Sequence, residues 1–412
     1  MTEAWGWGSL PAEIRNQILE DIAKQRHRGW ASFASVSREW QAVLEPKNFL
    51  TLKLGTSRLD DLERMTTRSA HLVRHVLLHI ELPRYDCYRE TVSRASHYNK
   101  DYNNMVKDAI VKLFWVLTTW KPRDRLVLEL GVSQPSDAEH RCQPRLFEPG
   151  ASFHVRMNGW SDGNQTEIPS RGTIERFFSP LFHSPPAWLA EVPAVTHLVM
   201  RRRFRRHMHP AGVRHFPDHR ALVQALASRS RRLEHLSVSY MINARQFFES
   251  CRPSYKWDSL QSLALTSPVL TPSEDREPVT KLLLAASQAA GRMPKLEDLV
   301  LWNGKRGECC AFIYHRDEYS RGDEGSEATL TWRGTWYFNL NDVVASWEKV
   351  ARIRLEQERL QEDIIHSHGD AIYHLRLPRD VIDPESLLEI RREGTRGAAA
   401  GFHGVIGEDT EL

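Results

Sequence analysis

Arg201-Arg202-Arg203-Phe204-Arg205-Arg206-His207 is the densest run of charge in the chain. Guanidinium groups present planar donor forks that suit phosphate and carboxylate oxygens. Such a run could contact nucleic-acid phosphates, serve as a nuclear localisation signal, or grip an acidic or phosphorylated protein segment. The plainer alternative is a solvated turn between a strand and a helix. Histidines recur at His207-x-His209 and His366-x-His368-Gly369-Asp370. Zinc needs a full tetrahedral ligand set. No cysteine or carboxylate group completes either cluster, so no metal is expected. Cys309-Cys310 falls in a strand pattern and is expected in the core or at an edge. Carboxylate pairs such as Asp60-Asp61 and Glu362-Asp363 belong to polar helical faces. The glycines of 159–172 and 304–325 match neither a Walker loop nor a dinucleotide fingerprint. There is no Gly-x-Ser-x-Gly elbow. The chain therefore reads as non-enzymatic, with no cofactor.

The remaining distinctive stretch is the first fifty residues. Pro11 lacks an N–H and has a fixed φ, which suits the first position of a helix. Ile14, Ile18, Leu19 and Ile22 then fall on one helical face. Glu13, Arg15, Asn16, Gln17 and Glu20 take the other. A polar link from Lys24 to Gly29 separates this helix from a second apolar run, Trp30, Phe33, Ala34 and Val36, continued by Trp40, Val43 and Leu44 and stopped at Pro46. Two or three short helices of this size bury too little to stand alone. Such a unit must lean on a partner or on the domain behind it.

Leu10-Pro11-x-Glu13-Ile14, Ile18-Leu19 with Ile22, and Phe33-Ala34-Ser35-Val36-Ser37-Arg38-Glu39-Trp40 together resemble an F-box. The resemblance covers about a tenth of the chain and departs from the family in the longer polar link at 24–29. It implies an adaptor role in an SCF-type (Skp–cullin–F-box) ubiquitin ligase. Leu10, Pro11, Ile14, Ile18, Leu19 and Ile22 would contact the Skp-type adaptor and, through it, a cullin. Phe33, Val36 and Trp40 would knit the module together. The rest of the chain would capture an unknown protein substrate. The arrangement behind the module is also similar to fungal F-box-containing proteins of unassigned function. An alternative of another class is a scaffold or nucleic-acid-associated protein that uses the basic turn, with Arg201, Arg202, Arg203, Arg205 and Arg206 as its phosphate or substrate contacts.

The elements that must carry these groups follow a repeating order. Residues 49–54, 72–80 and 126–131 read as strands. Residues 57–68 read as a short helix, and Val106, Ile110, Leu113, Phe114 and Leu117 form a helical stripe. The Tyr-rich stretch 83–104 reads as a connection. Val195-x-x-Leu198-x-Met200, Leu233-x-x-Leu236-x-Val238, Leu260-x-x-Leu263-x-Leu265 and Leu296-x-x-Leu299-x-Leu301 share one strand pattern. Helices are expected between them at 217–230, 243–251 and 278–290, with Gly291 as a left-handed cap. This resembles leucine-rich-repeat logic, though the spacing is irregular. The expected class is therefore α/β: a helical module at 1–50, then an irregular leucine-rich-repeat-like solenoid at 51–305 with an insertion at 132–194. A hairpin and helix follow at 306–393, and a disordered tail at 394–412. Residues 310–314 and 328–332 form the hairpin, a helix opens at Asn341 and runs through Ala351, and Tyr373–Leu377 is a short strand.

The totals agree with this class. The 412 residues are 41% hydrophobic and 26% charged, with a net charge of only +3, so nothing suggests a general nucleic-acid binder. Five cysteines without C-x-x-C spacing suggest reduced thiols in the cytoplasm or nucleus. The opening residues lack a signal-peptide pattern, and no run approaches the roughly eighteen apolar residues of a membrane span.

Overall fold

Alternation along the strands decides the architecture. The computed structural model describes residues 7–25, 29–83, 92–121, 125–133, 160–161, 164–165, 190–202, 220–239, 241–305, 307–316, 327–365, 368–378 and 381. A helical unit opens the chain: α1 (Ala12–Gln25), a 3-10 segment (Trp30–Ser35) and α2 (Arg38–Phe49). Then come β1 (Thr51–Leu54), α3 (Leu59–Thr66), β2 (His75–Glu81), α4 (Val92–Thr118) and β3 (Val127–Ser133). A separate two-stranded pair, β4 (Trp160–Ser161) and β5 (Asn164–Gln165), precedes β6 (His197–Arg202). The chain continues through α5 (Arg220–Arg229), β7 (His235–Ser239), α6 (Ala244–Ser250), β8 (Ser262–Thr266), α7 (Glu277–Ala290) and β9 (Asp298–Lys305). It closes with β10 (Glu308–Arg316), β11 (Glu327–Gly334), α8 (Asn341–Trp347), β12 (Arg352–Arg359) and α9 (His368–Leu375).

Ten strands form one sheet in chain order, β1-β2-β3-β6-β7-β8-β9-β10-β11-β12. From β1 to β9 every pairing is parallel. Parallel neighbours need a crossover, which α3 to α7 supply for all these pairs except β3–β6, whose connection lies mostly outside the described residues. One register row, Val76, Leu128, Leu198, Leu236, Leu263 and Leu299, runs across six strands. It packs under the helices with Leu62, Val106 and Leu113 at one end and Val223, Phe247 and Leu283 at the other. The C-terminal end turns antiparallel through β9, β10 and β11, then parallel again at β12. Gly307, with φ at +72°, makes the tight β9–β10 turn possible. Trp347 of α8 packs on Phe312 and Tyr314, with ring centroids 5.2 and 5.1 Å away.

The sheet's other face is covered near its C-terminal end by α9. Ala371, Ile372 and Leu375 seal Val300, Trp302, Ala311 and Ile313 there. Arg333 holds α9 in place: its Nη1 donates to Leu375 O at 2.7 Å, while its Nε pairs with Glu358 at 2.6 Å.

Several expectations are corrected. The stretch 83–104 is not all connection, because α4 begins at Val92. Pro46 does not stop α2, which runs on to Phe49. Gly291 has φ of −60° and is not a left-handed cap. The helix from Asn341 ends at Trp347; residues 348–351 form a turn, and β12 begins at Arg352. Tyr373–Leu377 is not a strand; Tyr373 to Leu375 belong to α9. The division at 305/306 runs through the β9–β10 hairpin of a continuous sheet. Most of the insertion at 132–194, the expected strand at 153–157, the hairpin loop between Arg316 and Glu327, and the tail at 394–412 lie outside the described residues.

Gly334 marks a tight approach between the end of β11 and the start of β10. A Cβ there would stand 2.7 Å from Cys310 Cβ and 2.8 Å from Cys309 O. Since the neighbours are a strand backbone and a sealed side chain, they yield little. Gly334→Ala should lower stability by about 1–3 kcal/mol, read as a lower urea midpoint with an unchanged slope.

Candidate interaction surfaces

The N-terminal unit is built from few buried side chains. Leu19 and Leu44 are fully buried and Ala23 nearly so. Ser37 caps α2 by accepting from Trp40 N–H at 3.3 Å. Glu39, one residue into that helix, gathers the rest: it accepts from Trp7 Nε1 at 2.9 Å and from Arg15 Nε at 2.6 Å. The Trp7 hydrogen bond and then the Arg15 guanidinium hold its carboxyl below the usual range. Arg15 also donates to Leu10 O at 2.8 Å, tying down the entry to α1. Trp40 packs between Trp7 and Phe33, with centroids 5.3 and 6.0 Å away. The unit joins the sheet through Ser69 Oγ, which donates to Glu45 at 3.0 Å, and through Phe49, which packs against the β1–β3 core.

Ile14, Ile18, Phe33 and Val36 are exposed, at 43%, 36%, 41% and 61%. Pro11 is exposed too, while Leu10 and Ile22 are half-buried. Leu19 was grouped with the adaptor contacts on sequence grounds, but it points inward and supports the unit instead. Phe33 and Val36 were grouped with the module's core, yet most of Val36 and much of Phe33 face outward. Trp40 is half-buried between its aromatic neighbours. The helical pattern gave the correct spacing for these positions but could not tell which side of a two-helix unit is covered.

The second surface is the side of the sheet turned away from the helices, over β2, β3, β6 and β7. Its outward positions mix polar residues with the buried Leu77 and Val199. His75 and Glu129 on adjacent strands stand 3.1 Å apart, and Glu129 is buried. His197 and His235 stack on β6 and β7. Ser237 donates to Val381 O at 3.3 Å, so the chain beyond α9 returns over β7. Arg201 and Arg202 close β6, and nothing is described of their side chains; Arg203, Arg205 and Arg206 lie outside the described residues. So do His207, His209 and His366, while His368 opens α9.

Sequence reasoning did not single out His75, Glu129, His197, Glu234 or His235. A signal existed: Arg74-His75-Val76, Thr196-His197-Leu198 and Glu234-His235-Leu236 each place a histidine at the first position of a strand. It was hidden because the apolar repeat positions drew the alignment and the polar outward positions were not compared.

Among the described residues the thiols, Cys251, Cys309 and Cys310, are poor nucleophiles. Cys251 Sγ donates to Phe247 O at 3.1 Å and Cys310 Sγ to Leu270 O at 3.5 Å. Burial pushes Cys251 and Cys309 up to about 12, and Cys310 well above its usual value. The thiolate is the reactive species.

Sheet order and helix placement define a mixed α/β protein with strands laid down in chain order. Residues 192–383 match the model of a family of unknown function, DUF6546. No curated protein and no solved structure matches the chain. Among the described residues no helix is long and apolar enough to cross a membrane.

Because these cysteines stay protonated, native protein at pH 8 should leave Cys251, Cys309 and Cys310 unmodified by iodoacetamide, and denatured protein should expose all three. The folded values lie above the ordinary thiol value, so their contribution to stability is complete below about pH 9 and is lost as pH rises towards 12. Mass mapping of the alkylated peptides checks the first expectation and alkaline unfolding curves the second.

Proposed function

We propose that this chain is the substrate-recognition subunit of an SCF-type ubiquitin ligase. The N-terminal unit would dock a Skp-type adaptor, and through it a cullin, as an F-box does. The sheet domain would carry a protein substrate. The observation that supports this reading is the open apolar group Ile14, Ile18, Phe33 and Val36 on a unit whose own core is already filled by Leu19, Ala23 and Leu44. Apolar side chains left outward in a small helical unit are those available to a groove on another protein. Burying each large aliphatic contributes about 1.5–3 kcal/mol, and nanomolar affinity needs about 12 kcal/mol. A handful of anchors with few desolvated charges is sufficient. The proposal places the chain in the cytoplasm or nucleus, where that machinery works.

The domain behind fits the same role. Its strands follow one another in the sheet and the helices α3 to α8 pack on one face, as in leucine-rich-repeat solenoids. Such a subunit needs no reacting side chain. Its contribution is to raise the effective concentration of substrate lysines near the ligase.

Co-purification tests the docking. The full chain should recover a Skp-type adaptor and a cullin. Ile14→Ser combined with Val36→Ser should lose both, with an unchanged circular dichroism spectrum, because both side chains are exposed and surface changes cost little stability. Undiminished recovery by the double variant, or no recovery by the native chain, overturns the proposal.

A further inference from the structure

Where β2, β3 and β6 begin, their entering segments lie side by side. Val127 N–H donates to Arg74 O at 2.9 Å, and His197 N–H donates to Leu126 O at 3.2 Å. The helix-side core ends here in a cavity of about 20 Å³, walled by Ala70, Val73, Trp120, Leu126 and Ala194. Two of these walls are alanines, whose short side chains leave the space. Lys121 and Arg125 stand at the same cavity. Arg68 and Arg74 follow closely in the chain on either side of Ala70 and Val73, and both are exposed.

Among the described residues no carboxylate pairs with Arg68, Arg74 or Lys121. The nearby acids are engaged. Glu45 accepts from Ser69 Oγ at 3.0 Å and from Gln41 Nε2 at 2.8 Å, and Glu191 pairs with Arg232. Arg123 and Asp124 lie outside the described residues, and their charges cancel. We infer that this cavity docks an acidic peptide segment. One small aliphatic side chain would enter the hole, and carboxylates on either side of it would meet Arg68, Arg74 and Lys121.

Size and charge together choose the occupant. A cavity of this volume takes a group as small as valine's isopropyl and excludes an aromatic ring or a nucleobase. A phosphate backbone answers the charge but offers no small aliphatic group to apolar walls. An acidic peptide supplies both. Its charge steers encounter and fixes register, and its aliphatic group is held by burial. Trp120 and Leu126, at 9% and 4% exposure, give the hole a firm lining. This deepens the adaptor reading by naming a class of substrate. Only the word substrate rests on that reading; the binding does not.

Fluorescence anisotropy on the full chain tests the inference. The probe is a fluorescein-labelled synthetic peptide with one valine between two pairs of glutamates. The native chain should bind it, more weakly as salt is raised. Replacing the peptide's valine by alanine removes two methyl groups and should weaken binding about tenfold. Lys121→Glu should weaken the valine peptide by at least about as much. Ala70→Leu fills the cavity and should make the two peptides bind alike. Lys121→Glu changes an exposed side chain at little cost in stability, so it carries the test should Ala70→Leu fail to fold. No binding by the native chain, equal affinity for the two peptides, or unchanged affinity in Lys121→Glu overturns the inference. So does tighter binding of a labelled oligothymidylate than of the peptide, which would assign the surface to nucleic acid. A dimer of the chain that Lys121→Glu disperses would assign it to a second copy and overturns it too. The Ile14 and Val36 double substitution should leave peptide binding as it is, so failure of adaptor docking and failure of the peptide site are read separately.

Discussion

Everything in this molecule rests on one register row. Val76, Leu128, Leu198, Leu236, Leu263 and Leu299 align across six parallel strands and must be kept from water. A strand points successive side chains to opposite faces, so a slip of one residue would turn that row outward on every strand it touches. The helices exist to cover it. In turn each helix is held by the strands on both sides, which is why neighbours in sequence are neighbours in space. The polar face on the other side follows from the same alternation: once the leucines face the helices, His75, Glu129, His197 and Ser237 must face away.

How much of this was legible depends on which constraint wrote each residue. The leucine spacing at 195–200, 233–238, 260–265 and 296–301 made those strands readable, because a buried row tolerates few residue types. The same is true of the stripe Val106, Ile110, Leu113 and Leu117. Reading failed where tertiary packing overrides local pattern. Arg352–Arg359 is charged at five of its eight positions and shows no strand-like apolar run, yet it pairs with β11 as an exposed outer strand. Its charges are what an edge strand needs to resist pairing with another chain. Tyr373 to Leu375 alternates like a strand, but Ala371, Ile372 and Leu375 lie on one side of a short helix and close over Trp302. The candidate site was less legible still. Single histidines carry no signal until the register lays them side by side.

The C-terminal third uses both faces of the sheet, and its energetics differ from the rest. Phe312, Tyr314, Trp332 and Trp347 fill the helix side, while Val300, Trp302 and Ile313 are sealed on the opposite side by α9. Aromatic burial of this kind is the largest apolar contribution a residue type can make. The N-terminal helical unit is the opposite case, with few buried side chains and its apolar surface facing out. Stability is therefore concentrated at one end and open apolar surface at the other. Such a division lets one end engage a partner while the other keeps the shape of the sheet.

One consequence concerns the crossover between β3 and β6. Those two strands pair directly, Val127 with His197, although the segment from Ser133 to His197 is far longer than a crossover requires. For a flexible loop, the entropy of closure grows only with the logarithm of its length, about 0.6 kcal/mol for each doubling. A buried methylene contributes about 0.8 kcal/mol. The length of this connection by itself therefore costs the β3–β6 pairing little, and a single buried methylene outweighs a doubling of it.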